Sequence, residues 1–206
     1  MSNRARIFLI RHGETELNAK RVLQPPETPL SERGLAQAER LARRLEDAGL
    51  LRIVASDLRR AEMTAEAIAA RTRLALERDP DLAERSFGDL RGRPYASLDT
   101  DPFAPDYTPP GGESWEAFHA RVDRAWARVV SLARATPGPI AVVTHGLFCR
   151  SVVARLASLP PDIALESLRW RNTSLTVLEP RTPDHWHVTL LDDVTHLDDV
   201  REGGAA

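Results

Sequence analysis

Arg6-Ile-Phe-Leu-Ile-Arg11-His12-Gly13-Glu14-Thr15 is the stretch from which the rest of the chain can be read. Its apolar run, Ile7 to Ile10, is too short for a helix and rich in β-formers, so it predicts a buried strand. The strand is closed by His12-Gly13, which places a histidine on the loop that follows.

Outward from this strand the pattern alternates. From Ser31 to Ala48, Leu35, Ala38, Leu41, Ala42 and Leu45 recur at helical spacing, with Ser31 as N-cap and Gly49 as stop. Leu51 to Ala55 predicts a second strand, and Ser56 is expected to cap a helix running to about Arg71. Gly88 to Gly112 is dense in Pro, Asp and Gly and predicts a lid-like excursion over the sheet. Trp115, Phe118, Val122, Ala125, Trp126, Val129 and Ala133 mark a long amphipathic helix ended by Pro137-Gly138-Pro139. Ile140 to Thr144 is a further strand running into His145-Gly146 and a helix to about Leu156. Leu175 to Leu178 and His187 to Leu191 complete the strands, with a turn at Thr182-Pro183-Asp184.

Strands alternating with helices predict an α/β fold of three layers, a mainly parallel central sheet flanked by helices. Residues 1–201 form one domain in this reading and 202–206 a loose tail. Ligands of such sheets bind beyond the carboxyl ends of the strands, where both Arg11-His12-Gly13 and His145-Gly146 fall.

The chain has 206 residues, 42% of them hydrophobic, with 28 basic against 30 acidic residues and a net charge of −2. That balance offers no bulk attraction for nucleic acid or an anionic membrane, so any anion site must be built locally. The single cysteine, Cys149, excludes an intramolecular disulfide and a cysteine-based zinc cage, and fits a reducing compartment, the cytoplasm by default. The amino-terminal apolar run is far shorter than the ~7–15 residues of a signal core or the ~20 of a membrane span.

A phosphate dianion needs fixed positive charge, which Arg11 and Arg60 can supply as planar forks. Amide donors are expected from the segments that open after His12 and after His145. Imidazoles beside arginines resist protonation, so His12 can serve as nucleophile while His145 stabilises the phosphoryl group. Glu84 is the candidate to protonate a leaving alcohol and later to activate water.

Arg11-His12-Gly13-Glu14-Thr15 with Asn18, Pro29-Leu30-Ser31-Glu32-Arg33-Gly34 with Gln37-Ala38, and Ser56-Asp57-Leu58-Arg59-Arg60-Ala61 with Thr64-Ala65 resemble, in order, the motifs of the histidine phosphatase (phosphoglycerate-mutase-like) superfamily. Glu84 with Phe87-Gly88 and Gly92, then Gly111-Gly112-Glu113-Ser114, Thr144-His145-Gly146 and Asn172-Thr173-Ser174 extend the resemblance over most of the chain. It implies a phosphohistidine on His12, a phosphate pocket of Arg11, His12, Asn18, Arg60 and His145 with Gly146 also binding phosphate, and Glu84 as proton donor and then base. Thr15 is a further phosphate candidate, with helix capping as its other reading. No metal and no cofactor are implied. The loop Arg21-Val-Leu-Gln24-Pro25-Pro26-Glu27 departs from the family in carrying two prolines, which stiffens the rim met by the leaving group.

The expected activity is metal-independent hydrolysis of a small phosphorylated metabolite, because Arg93 to Pro110 is short, acidic and lysine-free, unlike the longer insertion of the family's mutases. Phosphoglycerate mutase-type transfer is the alternative. A metallohydrolase would draw instead on His185, His187, Asp192, Asp193, His196, Asp198 and Asp199, and a binding module would have lost turnover. Arg21, Arg85, Arg91 and Arg93 could meet an acidic leaving group, while Asp99, Asp101 and Asp106 would repel one. A homodimer through an exposed strand or a Trp-bearing helix face is compatible with the sequence.

Overall fold

The computed structural model of the chain describes residues 5–161, 163–165, 168–182 and 185–200, without the side chains of 199 and 200. The tail at 202–206 and the turn residues Pro183 and Asp184 lie outside the described residues. Seven strands form one sheet: β1 (Arg6–Arg11), β2 (Arg52–Ala55), β3 (Leu76–Arg78), β4 (Pro139–Thr144), β5 (Ala157–Ser158), β6 (Leu175–Thr182) and β7 (His185–Asp193), in the order β3-β2-β4-β1-β6-β7-β5. The pairs β3/β2, β2/β4, β4/β1 and β5/β7 are parallel, and β6 alone among these runs against its neighbours β1 and β7. The mainly parallel α/β sheet expected from the sequence is present. β3 and β5 are the strands the pattern did not announce, being three and two residues long.

Alternation along the strands makes the three layers. In β1, Ile7 and Leu9 point into one core, and Phe8 and Ile10 into the other. The first core is covered by α4 (Trp115–Ala135) and α5 (Gly146–Arg155) through Phe118, Val122, Phe148 and Val152. The second is covered by α2 (Glu32–Leu45) and α3 (Arg59–Thr72) through Leu41, Leu45, Ala61 and Ile68. Each fully buried Leu or Ile contributes about 1.5–3 kcal/mol of apolar transfer, so both faces of β1 must stay covered. Trp126 is buried edge-on against Trp186.

Helix ends follow the capping chemistry with one correction. Ser31 and Ser114 cap α2 and α4, accepting from Gly34 N and Ala117 N. Ser56 does not cap α3, which begins only at Arg59 after Leu58. The short α1 (Glu16–Ala19) follows β1.

Residues 88–112 form the expected excursion, seated on the loop after α1. Gly92 donates to Leu23 O at 2.6 Å, Leu23 N to Arg93 O at 3.0 Å and Tyr95 N to Arg21 O at 2.9 Å. Leu23, Phe87 and Leu90 pack there with Tyr95, Phe103 and Tyr107 as a small separate core. Among the described residues, no helix is long and apolar enough to cross a membrane.

Candidate phosphoryl-transfer site

The register of the parallel strands assembles the site. Arg11 pairs with Thr144 and Ala55 with Val143, so β1, β4 and β2 end at one level. The next residues are His12, His145 and Ser56. His12 N donates to Thr144 O at 2.9 Å, Ser56 N to Val143 O at 2.9 Å, and the two imidazole centroids stand 5.1 Å apart. Residues more than a hundred positions apart thus meet at the carboxyl edge of the sheet, where open α/β sheets bind ligands.

His12 is buried, with Nδ1 2.6 Å from Gly13 O. A carbonyl only accepts, so Nδ1 carries the proton and Nε2 keeps its lone pair for the cleft. Burial first, then Arg60 and Arg11, hold His12 well below the ordinary histidine range, against the opposing pull of the Gly13 carbonyl. His145 is likewise held well below it, by burial and then by Arg60, His12 and Arg11. Its Nε2 lies 2.9 Å from Ser56 Oγ, which also accepts from Leu58 N at 3.2 Å. With Nε2 accepting the Ser56 hydroxyl hydrogen, the neutral imidazole has Nδ1–H as its outward donor.

Arg11, Arg60 and His145 each present a buried nitrogen with no hydrogen-bond partner among the described residues, namely Nε, Nε and Nδ1. Such groups normally find partners, and three of them beside His12 form a donor set awaiting an anion. Arg60, on α3, donates to Pro25 O of the loop at 21–27 at 3.2 Å, and burial brings its pKa down to about 10. The two-proline loop therefore orients a phosphate-binding candidate besides forming a rim. Arg11 donates to Trp170 O, and burial lowers its affinity for the proton. Asn18 lines the cleft with its Oδ1 held at 3.3 Å by Asn172 Nδ2, which also donates to His12 O at 3.1 Å. Asn172 is thus a positioning residue, for which the sequence offered only membership of a tail motif.

Glu84 is held at the start of α5, accepting from Leu147 N at 3.2 Å and Arg85 N at 3.0 Å. Burial raises its pKa, while those two amides and then Arg60 and Arg11 oppose the rise. The turn that bears it is pinned by Arg121, which donates to Asp81 O, Ala83 O and Glu84 O and pairs with Glu113 at 2.7 Å. Arg121 went unnoticed in the sequence; its signal is a charge set within the apolar stripe of α4 beside Val122.

Several sequence expectations are corrected. Thr15 is the N-cap of α1, accepting from Asn18 N and giving its hydroxyl hydrogen to Gln24 Oε1 at 2.7 Å, so capping is its observed role and it does not line the cleft. Amides after His12 are committed elsewhere, Gly13 N to Thr64 Oγ1 and Glu14 N to Gln37 Oε1; of the two expected helix starts, only that of α5 borders the cleft, at Gly146. Arg85 is buried, and its guanidinium donates to Glu113 O, Pro102 O and Tyr107 O, so it staples the excursion and is not free for a substrate. Asp99, Asp101 and Asp106 do not line the cleft. The carboxyl-terminal His and Asp residues are engaged elsewhere: Asp192 is bound to Arg171, Asp193 to Arg44, and His196 to Thr173 Oγ1 at 3.1 Å with its Nδ1 3.3 Å from the same Arg44 guanidinium. Among the described residues no three His, Cys, Asp or Glu could share a metal ion, and the Asp199 side chain lies outside them.

The cleft so formed encloses about 270 Å³ between Arg11, His12, Arg60 and Glu84 at its floor and Tyr95, Phe103, Arg91, Arg150 and Arg169 at its mouth. Residues 7–194 match the family described as histidine phosphatase superfamily (branch 1). The chain is 33% identical over 208 residues to a probable phosphoglycerate mutase, GpmB, of Proteus mirabilis, covering 94% of this chain and 95% of that one. Among solved structures, a mycobacterial glucosyl-3-phosphoglycerate phosphatase in complex with VO3 is 30% identical, with 92% and 99% of the two chains covered and a TM-score of 0.78. A putative alpha-ribazole-5'-P phosphatase of Escherichia coli is 28% identical, with 93% and 98% covered and a TM-score of 0.81.

Proposed function

This chain belongs to the histidine phosphatase superfamily, and on that footing we propose that it hydrolyses small phosphomonoesters without a metal ion, through a phosphohistidine on His12. The observation that carries this reading is the set of three unpartnered buried donors, Arg11 Nε, Arg60 Nε and His145 Nδ1, around an imidazole whose Nδ1 is already engaged.

His12 Nε2 attacks phosphorus as the bond from phosphorus to the leaving oxygen breaks. The Glu84 carboxyl gives its proton to that oxygen, so an alcohol departs. The resulting imidazolium keeps its Nδ1–H on Gly13 O. Arg11, Arg60, Asn18 and His145 take the phosphoryl oxygens, on which charge accumulates in the transition state. Water then attacks phosphorus, its proton passes to the Glu84 carboxylate, and the P–N bond breaks to release phosphate and neutral His12.

Phosphate release from a panel of phosphomonoesters in EDTA, with wild type and His12→Ala compared, tests this. Chelator-resistant turnover lost by at least about a thousand-fold in the mutant supports it, as does an acid-labile phosphoryl group trapped on His12. Metal-dependent turnover, or turnover that survives without His12, refutes it.

The name of the Proteus mirabilis relative favours a second reading, phosphoryl transfer of the phosphoglycerate mutase type. The lysine-free excursion argues for water as the acceptor. Bisphosphoglycerate-dependent isomerisation outpacing phosphate release on one substrate would decide for the mutase.

A further inference from the structure

The reaction cleft is not isolated. Phe103, Leu147 and Arg150 line both it and a second cavity of about 500 Å³, which is completed chiefly by Pro105, Trp115, His119 and Leu165. Its lining is mostly apolar or aromatic, and its wall is built in advance. Arg85 stacks on Trp115 with its guanidinium carbon 4.1 Å from the ring centroid while bonding the backbone at Pro102, and Trp115 Nε1 donates to Ala104 O at 2.8 Å. A rigid concave surface opening beside a reaction centre can bind without an ordering cost.

The border between the two cavities is positively charged beyond what one phosphate requires. Arg150 lies on α5 one turn past Gly146, and Arg169 lines the cleft next to Trp170. Neither has a hydrogen bond or ion pair among the described residues, whereas Arg121, Arg128, Arg155 and Arg171 each hold a carboxylate. Asp89, Asp99, Asp101 and Asp106, the acidic residues of the excursion, line neither cavity.

Building on the phosphomonoesterase reading, we propose that the substrate's leaving group carries an anionic group of its own, gripped by Arg150 and Arg169, joined to an apolar body that occupies the second cavity. Phosphate is then anchored at Arg11 and Arg60, the second anion at the mouth, and the apolar part beyond Phe103 and Leu147.

The test compares kcat/KM for butyl phosphate, 3-carboxypropyl phosphate, and the latter acid bearing a phenylethyl branch, in wild type, Arg150→Gln, Arg169→Gln and Ala154→Trp; Ala154 lines only the second cavity. Wild type is expected to favour the plain acid over butyl phosphate by about ten-fold, the scale of a charge-assisted hydrogen bond, and the branched acid by a similar factor again. Each glutamine variant should collapse the first ratio and the tryptophan variant only the second. Equal turnover of all three esters by wild type, or ratios unmoved by the variants, overturns the proposal while leaving hydrolysis standing. Failure of wild type to release phosphate from any of the three, with no phosphohistidine formed, overturns the phosphatase reading and this one with it.

Discussion

His145 Nε2 and Ser56 Oγ stand 2.9 Å apart, joining the ends of two neighbouring strands and fixing which nitrogen of the ring faces the phosphate position. In the proposed mechanism the hydroxyl does not touch substrate; it sets the tautomer of His145, which does.

Ser56→Ala should therefore lower kcat by about 10- to 100-fold, the scale of a misplaced catalytic group, with little change in KM, and should cost about 1 kcal/mol of stability for the lost buried hydrogen bond. Ser56→Thr should restore most of the rate. Steady-state kinetics and thermal melts measure both, and equal loss in the two variants would assign Ser56 to packing alone.

The pH profile of turnover should peak on the acid side of neutrality. His12 must be neutral to attack, and its lowered pKa keeps it so well below pH 6.5; Glu84 must be protonated to donate, and its raised pKa keeps it so above the ordinary 4.5. Glu84→Gln should lose about 10²–10⁴ in kcat on alkyl esters, and much less on aryl esters, whose leaving groups need no proton.

Stability should decline on acidification. His12 and His145 have folded pKa values below their unfolded 6.5, so the unfolded chain takes up protons first as the pH falls past that value. Their contribution is complete above about pH 6.5 and is lost toward the depressed folded values. Glu84 acts in the opposite sense: its raised folded pKa adds stability below 4.5 that is lost as the pH rises through the folded value. Melting temperatures from pH 8 to 5 in His145→Gln should show a flatter dependence than in wild type.

Arg85→Ala should destabilise the fold by about 2–4 kcal/mol, since the buried Pro102 carbonyl and the part-buried ones of Tyr107 and Glu113 lose their donor, and should raise KM more than it lowers kcat, because the wall of the leaving-group region loosens while His12 stays in place. Denaturant titration beside kinetics separates the two effects.

Gly34→Ala should be poorly tolerated for a steric reason. A Cβ there would lie 2.0 Å from the Glu14 carbonyl oxygen, and a Cβ on Gly13 would lie 2.8 Å from the Gly34 carbonyl oxygen. A cost of about 1–3 kcal/mol and a displaced His12 loop should appear together, in melting temperature and in kcat.

Much of this was written locally. The apolar run at Ile7–Ile10 and the one at Ile140–Val143 announce strands by composition, and Ser31 and Ser114 mark helix starts by a hydroxyl that can reach an amide three residues on. Elements of two or three residues, such as β5 and β3, carry too few side chains to show a period and exist only because a longer strand offers them a ladder. Ser56 has the chemistry of a cap and is placed instead beside His145, a choice that only the pairing of β2 with β4 makes.

By itself the sequence determined the alternation of strand and helix, the strand-end position of both histidines, and the residue types a phosphoryl group needs, because periodicity and functional-group chemistry are properties of short stretches. Only the tertiary structure decided which charges are free. Arg85 and Arg150 look alike in a string of letters, yet one is consumed by three backbone carbonyls and the other, between two cavities, has no partner among the described residues. Hydrogen-bond partners and neighbouring charges are contributed by residues distant in the chain, so the role of a polar group is settled only when the fold brings them together.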